Sequence, residues 1–202
     1  MRPGLLRAAP AILMFLAAAL AVSAGGVGAQ PAAAKWDLAQ LMQQLAAVKT
    51  ASAHFVEHRY LRMLKEPLVD SGTLFYRAPD QLRKDTLEPQ VEKLSIDRDI
   101  LTIDREGKSQ TLQLKDYPEL WAIIEGIRGT LAGDRSALEN YYIVTLHGSA
   151  ESWQLSLVPR DPKIEKAVRS VLISGDGAHI RRIVTDEGQG DRSEMTITED
   201  KP

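Results

Sequence analysis

Between residues 72 and 114 apolar side chains fall on every second position in short bursts. Leu74 and Tyr76, Leu94 and Ile96, Leu101 and Ile103, and Leu112 and Leu114 form i, i+2 pairs separated by turn residues. That spacing puts each pair on one face of a β-strand. The turns at Ala78-Pro79-Asp80, Glu88-Pro89, Asp97-Arg98-Asp99 and Glu106-Gly107-Lys108 predict consecutive antiparallel strands at 68–77, 81–87, 91–96, 100–104 and 111–114. An earlier strand is expected at 50–63, with Phe55 and Ala53 on one face, broken by Glu66-Pro67.

Two stretches follow a helical period instead. Trp36, Leu38, Leu41, Met42, Leu45 and Val48 recur at helical spacing, with Asp37 near the start where a carboxylate suits the helix dipole, and predict a helix over 37–48. Leu120, Ile124, Ile127 and Leu131 form a single stripe widened by Trp121 and Ile123, and predict a helix over 119–131 that opens at Pro118. Gly126 and Gly129 count against that helix, each costing about 1 kcal/mol relative to Ala. Residues 135–140 suit one more turn. Strands at 141–146, 153–158, 168–173, 180–184 and 195–197, with Gly-rich turns between them, complete the pattern.

The fold expected is mainly β, of α+β type: a curved antiparallel sheet forming an incomplete β-barrel, with helices as a lid over an apolar cavity. No βαβ alternation and no fixed-period repeat occurs, which argues against a Rossmann-type sheet or a solenoid. A one-sided apolar sheet under a helical cover points to binding rather than to chemistry.

Composition adds a compartment. Arg2 and Arg7 precede an uninterrupted apolar run at 11–22, shorter than the roughly 20 residues a bilayer needs, and Val27-Gly28-Ala29 has the small-residue pattern of a cleavage site; a second such site follows Val22-Ser23-Ala24. Residues 1–29 therefore read as a signal peptide and 30–202 as one domain, exported to the periplasm. Cysteine is absent, which removes disulfides, thiolate metal sites and N-terminal lipidation. Loss of Arg2 and Arg7 takes the formal charge from −2 to −4, so no basic field remains for nucleic acid.

Candidate chemistry is sparse. His54-Phe55-Val56-Glu57-His58 matches the H-x-x-E-H pattern of inverted zinc peptidases, whose imidazoles must share one helical turn. On a strand, positions four apart are roughly 13 Å from each other, too far for one zinc. No nucleophile elbow and no phosphate loop is present. The stretch 186–191 has the look of a calcium-repeat fragment and is expected to be a hairpin turn, while His147 and His179 are expected in exposed turns. Asp97, Asp99, Asp104 and Glu106 form an acidic edge that discourages sheet-to-sheet pairing. No catalytic residue, cofactor or metal is assigned.

The order of these features resembles the LolA family of periplasmic lipoprotein carriers across nearly all of the mature chain. The resemblance rests on the leading helix, Ala53-x-Phe55, and Ser71-Gly72-x-Leu74-x-Tyr76-Arg77-Ala78-Pro79-x-x-Leu82. It continues through Leu155-x-Leu157-x-Pro159, Asp176-Gly177-x-x-Ile180 and Gly190-Asp191-Arg192-Ser193. It implies a half-barrel whose inner wall takes up acyl chains under a helical lid, passed from an inner-membrane donor complex to an outer-membrane acceptor, in a protein acting as a monomer. The wall would comprise Phe55, Leu74, Tyr76, Leu82, Leu94, Ile96, Leu101, Ile103, Leu112, Leu114, Leu155, Leu157, Val171 and Ile173. Leu120, Ile124, Ile127 and Leu131 would form the lid.

The family's lid-latching arginine sits beside the proline, where this chain has Ala78; Arg77 is one residue earlier, and on a strand one step turns a side chain to the other face. Lys84 also stands where the family carries aromatic wall residues, and the family's extra C-terminal segment has no counterpart before Pro202. Those departures suit a different cargo, such as a non-protein lipid or a polyene or glycolipid precursor. A third reading is an interaction or sensor domain that uses the same half-barrel to recognise misplaced lipoproteins without transporting them.

Overall fold

The computed structural model describes residues 36–200, so the signal peptide expected over 1–29 lies outside the described residues. Helix α1 (Leu38–Ala47) leads into β1 (Thr50–Tyr60), β2 (Leu68–Arg77), β3 (Gln81–Glu88), β4 (Glu92–Asp97), β5 (Ile100–Arg105) and β6 (Lys108–Gln113). A 3-10 turn (Leu114–Asp116), α2 (Pro118–Ala132) and α3 (Arg135–Tyr141) follow. Then come β7 (Tyr142–Ser149), β8 (Ser152–Pro159), the short α4 (Pro162–Glu165), β9 (Val168–Asp176), β10 (His179–Glu187) and β11 (Arg192–Glu199).

The eleven strands form one antiparallel sheet in the order β6-β5-β4-β3-β2-β1-β11-β10-β9-β8-β7. Two meanders meet where β1 pairs with β11, Phe55 opposite Ile197 and Glu57 opposite Met195. The edges β6 and β7 stay unpaired, so the sheet is not closed into a barrel. The chain joining those two edges is the helical segment, and its apolar residues share one core with the inner face of the sheet.

Alternation is strict where one face is covered. In β1, Ala51, Ala53, Phe55 and Glu57 are buried between exposed Ser52, His54 and Val56; in β4, Leu94 and Ile96 are buried and Lys93 is exposed. Helix α1 starts with a capping box: Gln40 N donates to Asp37 Oδ1 at 2.9 Å, and Asp37 N donates to Gln40 Oε1 at 3.3 Å. Its Leu41, Met42 and Leu45 enter the core.

The glycines that argued against α2 are where other elements approach it. A Cβ on Gly126 would lie 2.4 Å from the Tyr142 ring, and one on Gly129 would meet Leu138 of α3 at 3.2 Å. The helix ends at Gly133, whose φ of 65° is the left-handed cap that glycine favours.

Some boundaries differ from the sequence reading. Strand β1 stops at Tyr60, and β6 begins at Lys108, earlier than expected, because the first four residues of this edge strand are exposed on both faces and show no alternation. Leu114 belongs to the 3-10 turn rather than to a strand, yet it is fully buried. Helix α4 was not anticipated; four residues are too few to display a period. His179 is not an exposed turn residue: it opens β10, half-buried, with Nδ1 2.6 Å from Glu199 Oε1.

Candidate functional site

The inner wall is built by parity. Phe55, Leu74, Tyr76, Leu82, Leu94, Ile96, Leu101, Ile103, Leu112, Leu155, Leu157 and Ile173 are all buried in one apolar cluster, with Val171 packed at its margin and Leu114 at its end. The helical cover meets it with Ile123, Ile124 and Leu131 buried and Leu120 and Ile127 half-buried. Among the described residues a dry gap of about 20 Å³ lies between wall and cover. It is lined by Ile123, Gly126, Ile127, Tyr142, Leu157, Val168, Val171, Ile173 and Ile183. That is room for about one water, against the roughly 300 Å³ or more of a small-molecule site.

Arg77 does not face the cover. It lies exposed on the outer face of β2 with its guanidinium 5.7 Å from the Phe75 ring centroid, while Tyr76 beside it points inward. The one-residue displacement from the family's position has the geometric effect expected of a strand.

The zinc-peptidase pattern is taken apart by the same alternation. His54 points outward, with Nε2 3.0 Å from Asp200 Oδ1, and His58 shares that face, whereas Glu57 turns into the core. The 186–191 stretch closes the β10–β11 hairpin through Gly190 N donating to Glu187 O at 3.0 Å.

The wall is not apolar throughout. Lys84 Nζ donates to Glu57 Oε2 at 2.7 Å, and both side chains are almost wholly withdrawn from water. Strand β2 lies between them, and Gly72 on that strand is tightly enclosed. A Cβ on Gly72 would lie 1.9 Å from the Asp85 carbonyl oxygen and 3.0 Å from the Phe55 ring. The Lys84 ammonium also sits 4.9 Å from the Phe55 ring centroid, a favourable cation–π position.

Further toward the β1–β2 hairpin, Arg59 Nε lies 2.8 Å from Asp70 Oδ2, Arg105 pairs with Glu92, and Thr86, Thr185 and Ser193 are buried. Glu57 Oε1, Thr185 Oγ1 and Ser193 Oγ have no hydrogen-bond partner among the described residues. Burial first, then the neighbouring Asp191 and Glu57, push the Glu187 carboxyl up to about 7, against a smaller opposing pull from Arg59. Half of the inner face is thus greasy and one end is polar. Lys84 stood out in the sequence as a charge within the wall; Glu57 was read only as part of a metal motif, and nothing local announced that the two meet across β2.

An open antiparallel sheet folded over its own helical connection, with a buried one-sided wall, is an incomplete barrel of a kind suited to binding. A family model described as outer membrane lipoprotein carrier protein LolA-like matches residues 29–199, and the chain belongs to that family. Solved structures similar to it include a LolA superfamily protein from Nitrosomonas europaea (10% identity, TM-score 0.43, 80% of this chain and 93% of that one). Others are the MucA/MucB complex of Pseudomonas aeruginosa (14%, 0.45, 81% and 56%) and the lipoprotein LppX of Mycobacterium tuberculosis (11%, 0.42, 82% and 96%). A comparison with curated proteins finds no match.

Proposed function

We propose that the protein is a periplasmic carrier that takes acyl chains from an inner-membrane donor, shields them during transit and delivers them toward the outer membrane. Family membership over 29–199 supports this, and the observation that carries it is the inner wall. Its apolar side chains are covered mainly by the helical segment between β6 and β7, with Leu41, Met42 and Leu45 of α1 in the same core, and a gap of about 20 Å³ lies beneath α2. Such a wall can accept a chain only by moving its cover.

The energies make that exchange feasible. Uncovering the fully buried aliphatics of α2 (Ile123, Ile124 and Leu131) costs roughly 1.5–3 kcal/mol each, or about 5–9 kcal/mol together. An acyl chain gains about 0.8 kcal/mol per buried methylene, so a dozen methylenes return about 10 kcal/mol. Binding is then close to balanced, which a carrier needs in order to release. The reading assigns no catalytic residue, cofactor or metal.

The cargo is a lipid-modified protein on this reading. The buried Lys84–Glu57 pair favours a second one, a non-protein lipid with polar groups along its length, because it places charge on the wall itself. Native mass spectrometry of the protein purified from its own periplasm decides between them. An acylated polypeptide supports the first and a free lipid the second; no bound lipid, together with no displacement by fluorescent fatty acyl probes, sinks both.

A further inference from the structure

On the flank of α2 away from the dry gap, an open cleft of about 600 Å³ is bounded by the 3-10 turn, α2, α3 and α4. Lys115, Trp121, Tyr141, Arg160 and Lys163 supply its charged and aromatic lining. Among the described lining side chains, three cations face one carboxylate, Asp161, which already accepts from Lys163 N at 2.8 Å. Arg160 is held by its Nε, which donates to Glu139 O at 2.9 Å and Tyr142 O at 3.1 Å. Its two Nη groups and the Lys115 and Lys163 ammonium groups have no described partner.

Trp121 is fixed by its Nε1 donating to Tyr141 Oη at 3.3 Å. Pro118, in the first turn of α2, also lines the cleft, and the residue before it, Tyr117, places no side-chain cap on that helix end.

The cleft and the dry gap are neighbours. Ala122 lines the cleft, Tyr142 lines the gap, and the Tyr142 hydroxyl lies 3.5 Å from the Ala122 carbonyl. A molecule that lifted α2 would bring its polar end to the cleft and its chain to Ile123 and Ile127. We infer that the cleft at Lys115, Arg160 and Lys163 binds the phosphate ester of an anionic amphiphile whose chain runs under α2. A planar guanidinium held at its Nε presents two Nη donors to a phosphate, and the two lysines add point charge. The indole and phenol suit the boundary between chain and headgroup. This inference rests on the carrier reading and specifies its cargo.

The test titrates the mature protein at low salt with dodecyl phosphate, with dodecyl maltoside and with inorganic phosphate, both surfactants below their micelle concentrations, by calorimetry. The expected result is that dodecyl phosphate binds about tenfold or more tightly than dodecyl maltoside and loses that margin in high salt. In the double variant Lys115→Gln, Lys163→Gln, which keeps Arg160, the margin should shrink several-fold while the dodecyl maltoside affinity and the melting temperature stay unchanged. Equal affinity for both surfactants in the wild type, or a margin untouched by the double variant, overturns the headgroup site and leaves the carrier reading standing. Inorganic phosphate binding as tightly as dodecyl phosphate assigns the cleft to the free ion and overturns the amphiphile. Failure of both surfactants to bind removes the carrier reading, and the inference with it.

Discussion

A lysine and a glutamate buried together inside a greasy wall are the costliest residues in this molecule to leave single. Lys84 and Glu57 sit 2.7 Å apart with almost no contact with water, and removing one partner of such a pair typically costs about 3–5 kcal/mol because the other charge is stranded. Replacing both by apolar side chains of similar size removes the desolvation cost as well. Lys84→Met should therefore lower unfolding stability by about 3–5 kcal/mol in denaturant titrations, and adding Glu57→Met should restore most of that loss. A double variant no more stable than the single one would show that the pair acts through something other than mutual neutralisation. Glu187, whose carboxyl is raised to about 7 from 4.5, gives a second residue-scale prediction. Between those values the folded state holds a proton that the unfolded chain has lost, so stability is highest below about 4.5 and declines as pH rises through about 7. Glu187→Gln removes the penalty of the ionised form. The variant should exceed the wild type by about 2 kcal/mol at pH 8, after allowing for partial contact with water, and match it near pH 4.5. A stability difference that does not change with pH would place the cause elsewhere.

The elements that deserve most weight are those whose two sides do different things, and α2 is the chief of them. Ile124 is fully buried against the wall, whereas Trp121 and Ala122 line the outer cleft. Ile124→Asp should bury an unpaired carboxylate, lower stability by more than about 3 kcal/mol and raise affinity for fluorescent acyl probes, since a loosened cover is cheaper to displace. Unchanged stability and probe binding would show that α2 is not a lid. How far such elements could be read in advance depended on whether their signal was local. The pairs Leu74 and Tyr76, or Leu94 and Ile96, could be read as one face because burial of alternate residues is written within one strand. The stripe at Leu120, Ile124 and Leu131 was legible for the same reason. Lys108, Ser109 and Gln110 of β6 were not, because an edge strand with both faces in water has no pattern to show. The Lys84–Glu57 pair depends on the register of three strands, and the cleft joins residues from Lys115 to Lys163; no short window contains either.

At the scale of the whole molecule the sheet has two edges that never meet, β6 and β7, and the covalent link between them is the cover itself. Displacing α2 breaks no strand pairing. The eleven-stranded hydrogen-bond network from β6 to β7 can stay intact while the helical segment moves, so opening is a local event with a free energy below that of global unfolding. On the proposed carrier reading the moving segment is bounded at both ends. The 3-10 turn leads into α2 at Pro118, and the left-handed Gly133 separates it from α3. Hydrogen exchange can follow both parts at once. In the empty protein the amides of α2 should exchange faster than those of β1 and β2, because only side-chain packing holds the helix down. Loading with an acyl ligand should change the exchange of α2 and its flanking turns by an order of magnitude or more, while the central strands slow only by the amount that ligand binding stabilises the fold, RT ln(1 + [L]/Kd). If instead α2 and the central strands shifted by the same factor on loading, the protein would be responding as one rigid body, and an acyl chain would have to reach the wall by a route other than displacement of its cover.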